Sequence, residues 1–189
     1  MSFLKKILKL FLKEVYILYL RVDVLFLKRN KKTLVFDIDN TLANTWPTLK
    51  PEERSKYKNE ADRLSSLELL PNAKELVKLV NQKFDQILFL SARDPRCFSI
   101  TDQWIKSNFK LTNYKLVLVP KASLKIIYWN RLAKISKETV VLDDLSYNHE
   151  NEEVKFYADE IEMLKKHNSI KYFDFKNINE GLSTIIEKL

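Results

Sequence analysis

Five short apolar runs recur along the chain, and helical patterns fill the intervals between them. The runs are Thr33-Leu-Val-Phe-Asp37, Gln86-Ile-Leu-Phe-Leu-Ser91, Lys115-Leu-Val-Leu-Val119, Thr139-Val-Val-Leu-Asp143 and Ile170-Lys-Tyr-Phe-Asp174. Their shortness and their β-branched or aromatic content mark strands buried on both faces. The intervals carry apolar residues at helical spacing. Residues 71–83 place Ala73, Leu76, Leu79 and Val80 on one face, with Pro71 expected in the first turn. Helices are likewise predicted over 99–109 (Ile100, Trp104, Ile105), 123–135 (Leu124, Ile127, Leu132, Ile135), 152–166 and 177–189. Strands that alternate with helices must run parallel, because each crossover returns the chain to the same edge. The expected fold is therefore α/β, a Rossmann-like parallel sheet flanked by helices. Any chemistry belongs beyond the carboxyl ends of the strands.

Composition narrows the chemistry. The chain of 189 residues holds one glycine, Gly181. A Gly-rich dinucleotide fingerprint or a P-loop needs several, so a phosphate site here must be built from side chains and a metal. One cysteine, Cys97, excludes an internal disulfide and a Cys-x-x-Cys metal cage, which suits a reducing, cytoplasmic setting. Hydrophobic residues make up 46%, enough for a real core.

The net charge of +8 is concentrated at one end. Residues 1–32 hold nine cations against Glu14 and Asp23, so +7 lies there and +1 in the rest. Overall basicity therefore says little about nucleic-acid binding by the body. Leu4, Leu8, Phe11, Val15, Leu18, Val22 and Leu25 recur at helical spacing, with Lys5, Lys6, Lys9 and Lys13 opposite. From Val15 onward the other face also turns apolar. The longest uncharged run, Val15 to Leu20, is far short of the ~18 residues a membrane span needs. Two domains of unequal weight are expected: a basic amphipathic helix over 1–32, and a catalytic α/β domain over 33–189. The helix packs on the body or on a second copy through residues 1–28, or it lies on an anionic membrane surface as a peripheral anchor. Residues 44–70, charged and without strand signal, read as a short helical insertion after the first strand.

The strand ends gather the polar residues. Asp37-Ile-Asp39-Asn40-Thr41 ends the first strand, Ser91 the second and Asp143-Asp144 the fourth, with Lys121 and Lys125 just after the third. Four carboxylates at one edge would repel one another unless a cation joined them, and an all-oxygen donor set favours Mg²⁺. A carboxylate such as Asp37 can attack phosphorus, and Asp39 can serve as general acid and base. Ser91 and a lysine can hold non-bridging oxygens, with Thr41 and Arg93 as further phosphate contacts. The metal set is Asp37, Asp39, Asp143 and Asp144. Asn40 falls where a tight turn needs positive φ.

Phe36-Asp-Ile-Asp-Asn-Thr-Leu42, Leu90-Ser91, a following lysine and Leu142-Asp-Asp-Leu145 resemble, in order, the four motifs of the haloacid dehalogenase (HAD) superfamily. The resemblance spans roughly residues 33–175. It implies a HAD-like core, Mg²⁺, a phospho-aspartyl intermediate on Asp37 and phosphatase activity, since Asp39 is the aspartate that the superfamily's phosphatases keep and its dehalogenases lack. Asn40 departs from the glycine common there. Ser91-Ala-Arg-Asp-Pro-Arg96, Thr101, Trp104 and Lys125 before the acid pair also resemble the phosphatase half of polynucleotide kinases. That similarity favours Lys125 over Lys121 as the phosphate lysine, although Lys121 stands closer to the strand end. No kinase half accompanies it, so it suggests a nucleic-acid 3′-phosphate only weakly. A phosphotransferase fits the same residues, and so does an adaptor that kept the fold without turnover. Two other readings fail. A calcium loop would need glycine and glutamate where Leu42 and Thr48 stand, and a receiver domain has its lysine last.

Overall fold

The computed structural model describes residues 3–145 and 157–189, with side chains from residue 7 onward except residue 9. In chain order the elements are α1 (Phe3–Asp23), β1 (Lys32–Phe36), α2 (Pro51–Arg54), α3 (Glu60–Ser65), α4 (Ala73–Lys83), β2 (Gln86–Ser91), α5 (Phe98–Phe109), β3 (Lys115–Leu118), α6 (Ile126–Ile135), β4 (Glu138–Leu142), α7 (Ala158–Lys166), β5 (Ile170–Phe173), α8 (Phe175–Asn179) and α9 (Leu182–Lys188). The five strands form one sheet in the order β3-β2-β1-β4-β5, and every pairing is parallel. The expected α/β sheet is thus observed, with β1 at its centre and the strand order reversing beside it.

Alternation along each strand divides the core in two. Leu34, Phe36, Phe89 and Leu142 face one side, where α4, α5, α8 and α9 contribute Leu76, Val80, Trp104, Ile178 and Ile185. Val35, Leu88, Leu90 and Val141 face the other, against Trp129 and Leu132 of α6 and Leu164 of α7. The second face also receives Leu20, Val24 and Leu27, from the C-terminal end of α1 and the turn after it. Burying large side chains on both faces stabilises each by about 1.5–3 kcal/mol relative to exposure. It also holds the carboxyl ends of the strands rigidly together.

Local structure differs from expectation at three helix ends. The helix expected over 71–83 begins at Ala73, because Asn72 takes a left-handed backbone (φ 64°) and turns Pro71 out of the first turn. The helix expected over 123–135 opens with a 3₁₀ turn over Ala122–Lys125, and the α-helical part starts at Ile126. The single helix expected over 177–189 is two, α8 and α9, separated where Gly181 takes φ 112°. An α-helix cannot pass through that conformation, which only glycine adopts readily. Of the helix expected over 152–166, the first five residues lie outside the described residues, and α7 supplies the rest. The insertion over 44–70 carries α2, α3 and a 3₁₀ turn at Trp46–Leu49.

Candidate active site

β1 ends at Phe36, and the backbone then turns sharply. The amides of Leu42 and Ala43 both donate to the Ile38 carbonyl (3.0 and 2.9 Å), and Asn40 N donates to Ala43 O (2.8 Å). This turn needs a left-handed residue, and Asn40 supplies it with φ 52°, as its position after the strand suggested. The turn presents Asp37 and Asp39 at the carboxyl edge of the sheet, beside Ser91 from β2 and Asp143 and Asp144 from β4. Together with Asn40, Ala92, Ala122, Lys125, Leu145 and Tyr157 they line a cleft of about 170 Å³.

Three acids meet there. Asp37, Asp143 and Asp144 each offer an oxygen, and the three oxygens lie within 4.8 Å of one another. Lys125 reaches them from the 3₁₀ turn after β3. Its Nζ donates to Asp143 Oδ2 at 2.6 Å and lies 3.1 Å from Asp37 Oδ1. Lys125, Asp37 and Asp143 are all buried, whereas Lys121 is exposed on the outer side of the same turn. The geometry therefore brings Lys125, not Lys121, to the acids.

Among the described residues one ammonium faces three carboxylates, which leaves the cluster short of positive charge. Burial pushes the Asp37 and Asp143 carboxyls up, against the opposing pull of Lys125. Burial also disfavours the Lys125 ammonium, but Asp143 and Asp37 outweigh it and hold that group above its ordinary value. Among the described residues Asp143 Oδ1 is buried with no hydrogen-bond donor, and the Lys125 ammonium lies 3.1 Å from Asp37 Oδ1. Orphaned carboxylate oxygens at such a position cost several kcal/mol unless a cation meets them. An all-oxygen donor set of this kind fits a hard divalent cation.

Asp39 stands apart from this group. Arg93 grips it with two bonds, Nε to Oδ2 at 2.7 Å and Nη2 to Oδ1 at 2.8 Å, and Thr45 Oγ1 donates to Oδ1 at 2.6 Å. Burial alone would raise the Asp39 carboxyl, yet Arg93 and Thr45 hold it below the usual carboxylate value. A bidentate guanidinium pair is the stronger kind of charged hydrogen bond. The carboxylate of Asp39, expected among the metal ligands, is thus engaged by a cation of the protein itself. Arg93, expected at the phosphate, is buried, spends its fork on Asp39 and donates from Nη1 to Thr101 (3.2 Å). Thr41, also expected at the phosphate, is fully buried and does not line the cleft. Ser91 does line it, its hydroxyl 3.5 Å from Asp39 Oδ2.

Two participants escaped sequence reasoning. Thr45 belongs to the insertion, where nothing in the local pattern marks it. Tyr157 stands just before α7, and burial raises its phenol, which keeps it neutral at the cleft wall. Trp104 is packing, as expected, its indole N–H bonded to Leu67 O at 2.8 Å.

No protein-family model and no curated protein matches the chain. Solved structures do. The class C acid phosphatase from Bacillus anthracis with tungstate bound aligns with 86% of this chain and 75% of its own, at 14% identity and a TM-score of 0.52. A second structure of that enzyme aligns over the same shares at 15% identity and 0.51. The HAD domain of the effector protein Lem4 from Legionella pneumophila aligns with 77% of the chain and 86% of its own, at 15% identity and 0.46.

The chain shares the parallel α/β fold of those class C acid phosphatase structures. At the carboxyl edge of this sheet, the β1, β2 and β4 ends and the turn after β3 contribute the cluster described above. The positions that resembled the four HAD motifs are therefore adjacent in space as well as ordered in sequence.

Proposed function

We propose that this protein is a Mg²⁺-dependent phosphomonoester hydrolase that works through a phospho-aspartyl intermediate on Asp37. The observation that carries the reading is the set of buried Asp37 and Asp143 with the half-exposed Asp144 around Lys125, with carboxylate oxygens left without hydrogen bonds at the carboxyl edge of the sheet. Asp37, Asp143 and Asp144 would hold the ion. When bound, Mg²⁺ neutralises the acids and the incoming phosphoryl group, so that a carboxylate can approach a phosphate dianion.

The residues then divide the work. An Asp37 carboxylate oxygen attacks phosphorus, and the bond from phosphorus to the leaving alcohol oxygen breaks. That oxygen takes a proton from Asp39. In the second half Asp39, now a carboxylate, removes a proton from water as the water oxygen attacks phosphorus. The bond from phosphorus to Asp37 breaks and inorganic phosphate leaves. Lys125 and Ser91 steady the non-bridging oxygens through both transfers. Because Arg93 favours the ionised form of Asp39, delivery of the first proton requires that bridge to loosen as substrate enters.

The test is release of phosphate from p-nitrophenyl phosphate, with and without Mg²⁺, followed by acid quench and mapping of phosphorylated peptides. Label on Asp37 and loss of turnover in Asp37→Asn are expected. No release across a broad phosphomonoester panel, or undiminished turnover in Asp37→Asn, overturns the proposal.

A further inference from the structure

The face of α1 that points away from the body is apolar and uncovered. Leu8, Phe11, Val15, Leu18, Tyr19 and Val22 are all exposed. At ~100° per residue they form one stripe about 100° wide. Tyr16, Leu20, Val24 and Leu27, the residues that touch the body, fall on the opposite side. A helix of this kind would normally roll its apolar stripe inward. Here the C-terminal end prevents it. Tyr16 Oη donates to Leu118 O at 2.5 Å. Asp23 accepts from Lys115 Nζ at 2.7 Å and from Tyr128 Oη at 2.6 Å. Those bonds and the buried Leu20 fix the rotation of the helix, so the stripe is held outward. An apolar surface held in water costs about 25 cal/mol per Å² relative to burial, which argues for a partner.

The charge on the segment says which partner. Residues 1–32 carry +7 of the chain's +8. Lys13 and Arg21 are exposed on α1 and lie off the stripe, and Lys28 and Arg29 follow it, also exposed. A second copy would set one strongly cationic helix against another. An anionic lipid surface instead supplies long-range counter-charge to the cations of the segment and hydrocarbon to the stripe. No helix among the described residues is long and apolar enough to cross a membrane, so the helix would lie in the surface.

We infer that α1 is a peripheral membrane anchor: its outward stripe inserts into the headgroup region of an anionic bilayer while its root stays bonded to the catalytic body. This is independent of the hydrolase reading, because it rests on surface residues remote from the acids.

The test uses the purified full-length protein and flotation with vesicles of phosphatidylcholine alone or mixed with phosphatidylserine. Binding to the mixed vesicles is expected, at least ~10-fold weaker to phosphatidylcholine alone, and weakened again when salt is raised enough to shrink the Debye length from about 10 Å towards 3 Å. The double variant Phe11→Glu with Leu18→Glu should lose binding while its melting temperature stays that of the parent. The charge reversals Lys13→Glu and Arg21→Glu should weaken binding without touching the stripe. The inference is overturned by absence of binding to phosphatidylserine vesicles, or by binding indifferent to both lipid charge and salt. It is equally overturned if the protein ignores vesicles and sedimentation equilibrium shows a dimer that Phe11→Glu with Leu18→Glu dissociates.

Discussion

Replacing Asp37 by asparagine should abolish turnover and yet leave the metal-free protein as stable as its parent, or more so. The electrostatics of the cluster set the expectation. At an effective dielectric constant of ~20, Lys125 Nζ, 3.1 Å away, attracts the Asp37 carboxylate by about 5 kcal/mol. Asp143, with a ligand oxygen within 4.8 Å, repels it by about 3.5 kcal/mol or more. Asp144 adds a smaller repulsion, because its partial exposure lets solvent screen it. Attraction and repulsion nearly cancel. What remains is the cost of keeping a carboxylate out of water, several kcal/mol per ion, which an amide does not incur. In EDTA the melting temperature of Asp37→Asn should therefore equal or exceed that of the parent, by 2–4 °C for each ~1 kcal/mol gained. Mg²⁺ should reverse the order. At 100 times its dissociation constant it adds about 2.7 kcal/mol to the parent, roughly 5–10 °C, and much less to the variant. The assay is differential scanning calorimetry of both proteins in EDTA and in Mg²⁺. A metal-free variant melting more than ~4 °C below the parent, or an equal Mg²⁺ shift in both proteins, would refute the picture of crowded acids awaiting a cation.

Three further outcomes follow from the same structure. Lys125→Met removes the one ammonium shared by two buried acids and should cost about 3–5 kcal/mol in EDTA. Urea titration should show that deficit shrinking on addition of Mg²⁺, and an unchanged deficit would count against the ion. Asp143 titrates above the ordinary carboxyl value when folded, so its stabilising contribution is complete below the unfolded value near ~3.9 and is lost as pH rises through the folded one. The difference in metal-free stability between the parent and Asp143→Asn should accordingly move in favour of the variant as pH rises, and a flat difference would contradict the burial argument. Gly181→Ala forces a side chain onto φ 112° without a steric clash, its nearest neighbour being Ser183 Oγ at 3.5 Å. The backbone strain alone should lower stability by about 1 kcal/mol or more, read as a melting temperature lower by some 2–4 °C with kcat unchanged.

Proton delivery by Asp39 is the most delicate element of the proposed chemistry. A general acid works best with its pKa near the working pH, and Arg93 drives Asp39 the other way. The sequence placed Arg93 two residues beyond β2 and Asp39 two residues beyond Asp37. That spacing shows that both reach the same edge, but not that they face each other. Which carboxylate a guanidinium meets depends on the turn from Ile38 to Ala43 and on the insertion that brings Thr45 over it. Neither is encoded in a short-range pattern. Thr41 illustrates the same limit, since the turn that exposes Asp39 carries the threonine inward to full burial.

The arrangement of strands and helices was readable directly, because a two-sided parallel strand is a continuous apolar run, and three of the runs here end at the polar residues that line the cleft. The strand ends in turn place Asp37, Ser91, Asp143 and Asp144 at one edge, where they line one cleft. Tertiary structure alone decided three things: that Lys125 reaches the acids while Lys121 faces solvent, that Asp39 is clasped by Arg93, and that α1 turns its apolar stripe away from the body. The physical reason is the same in each case. Periodicity records which face a residue shares with its near neighbours, whereas the partner a charged or apolar group finally meets is set by elements packed against it from distant parts of the chain.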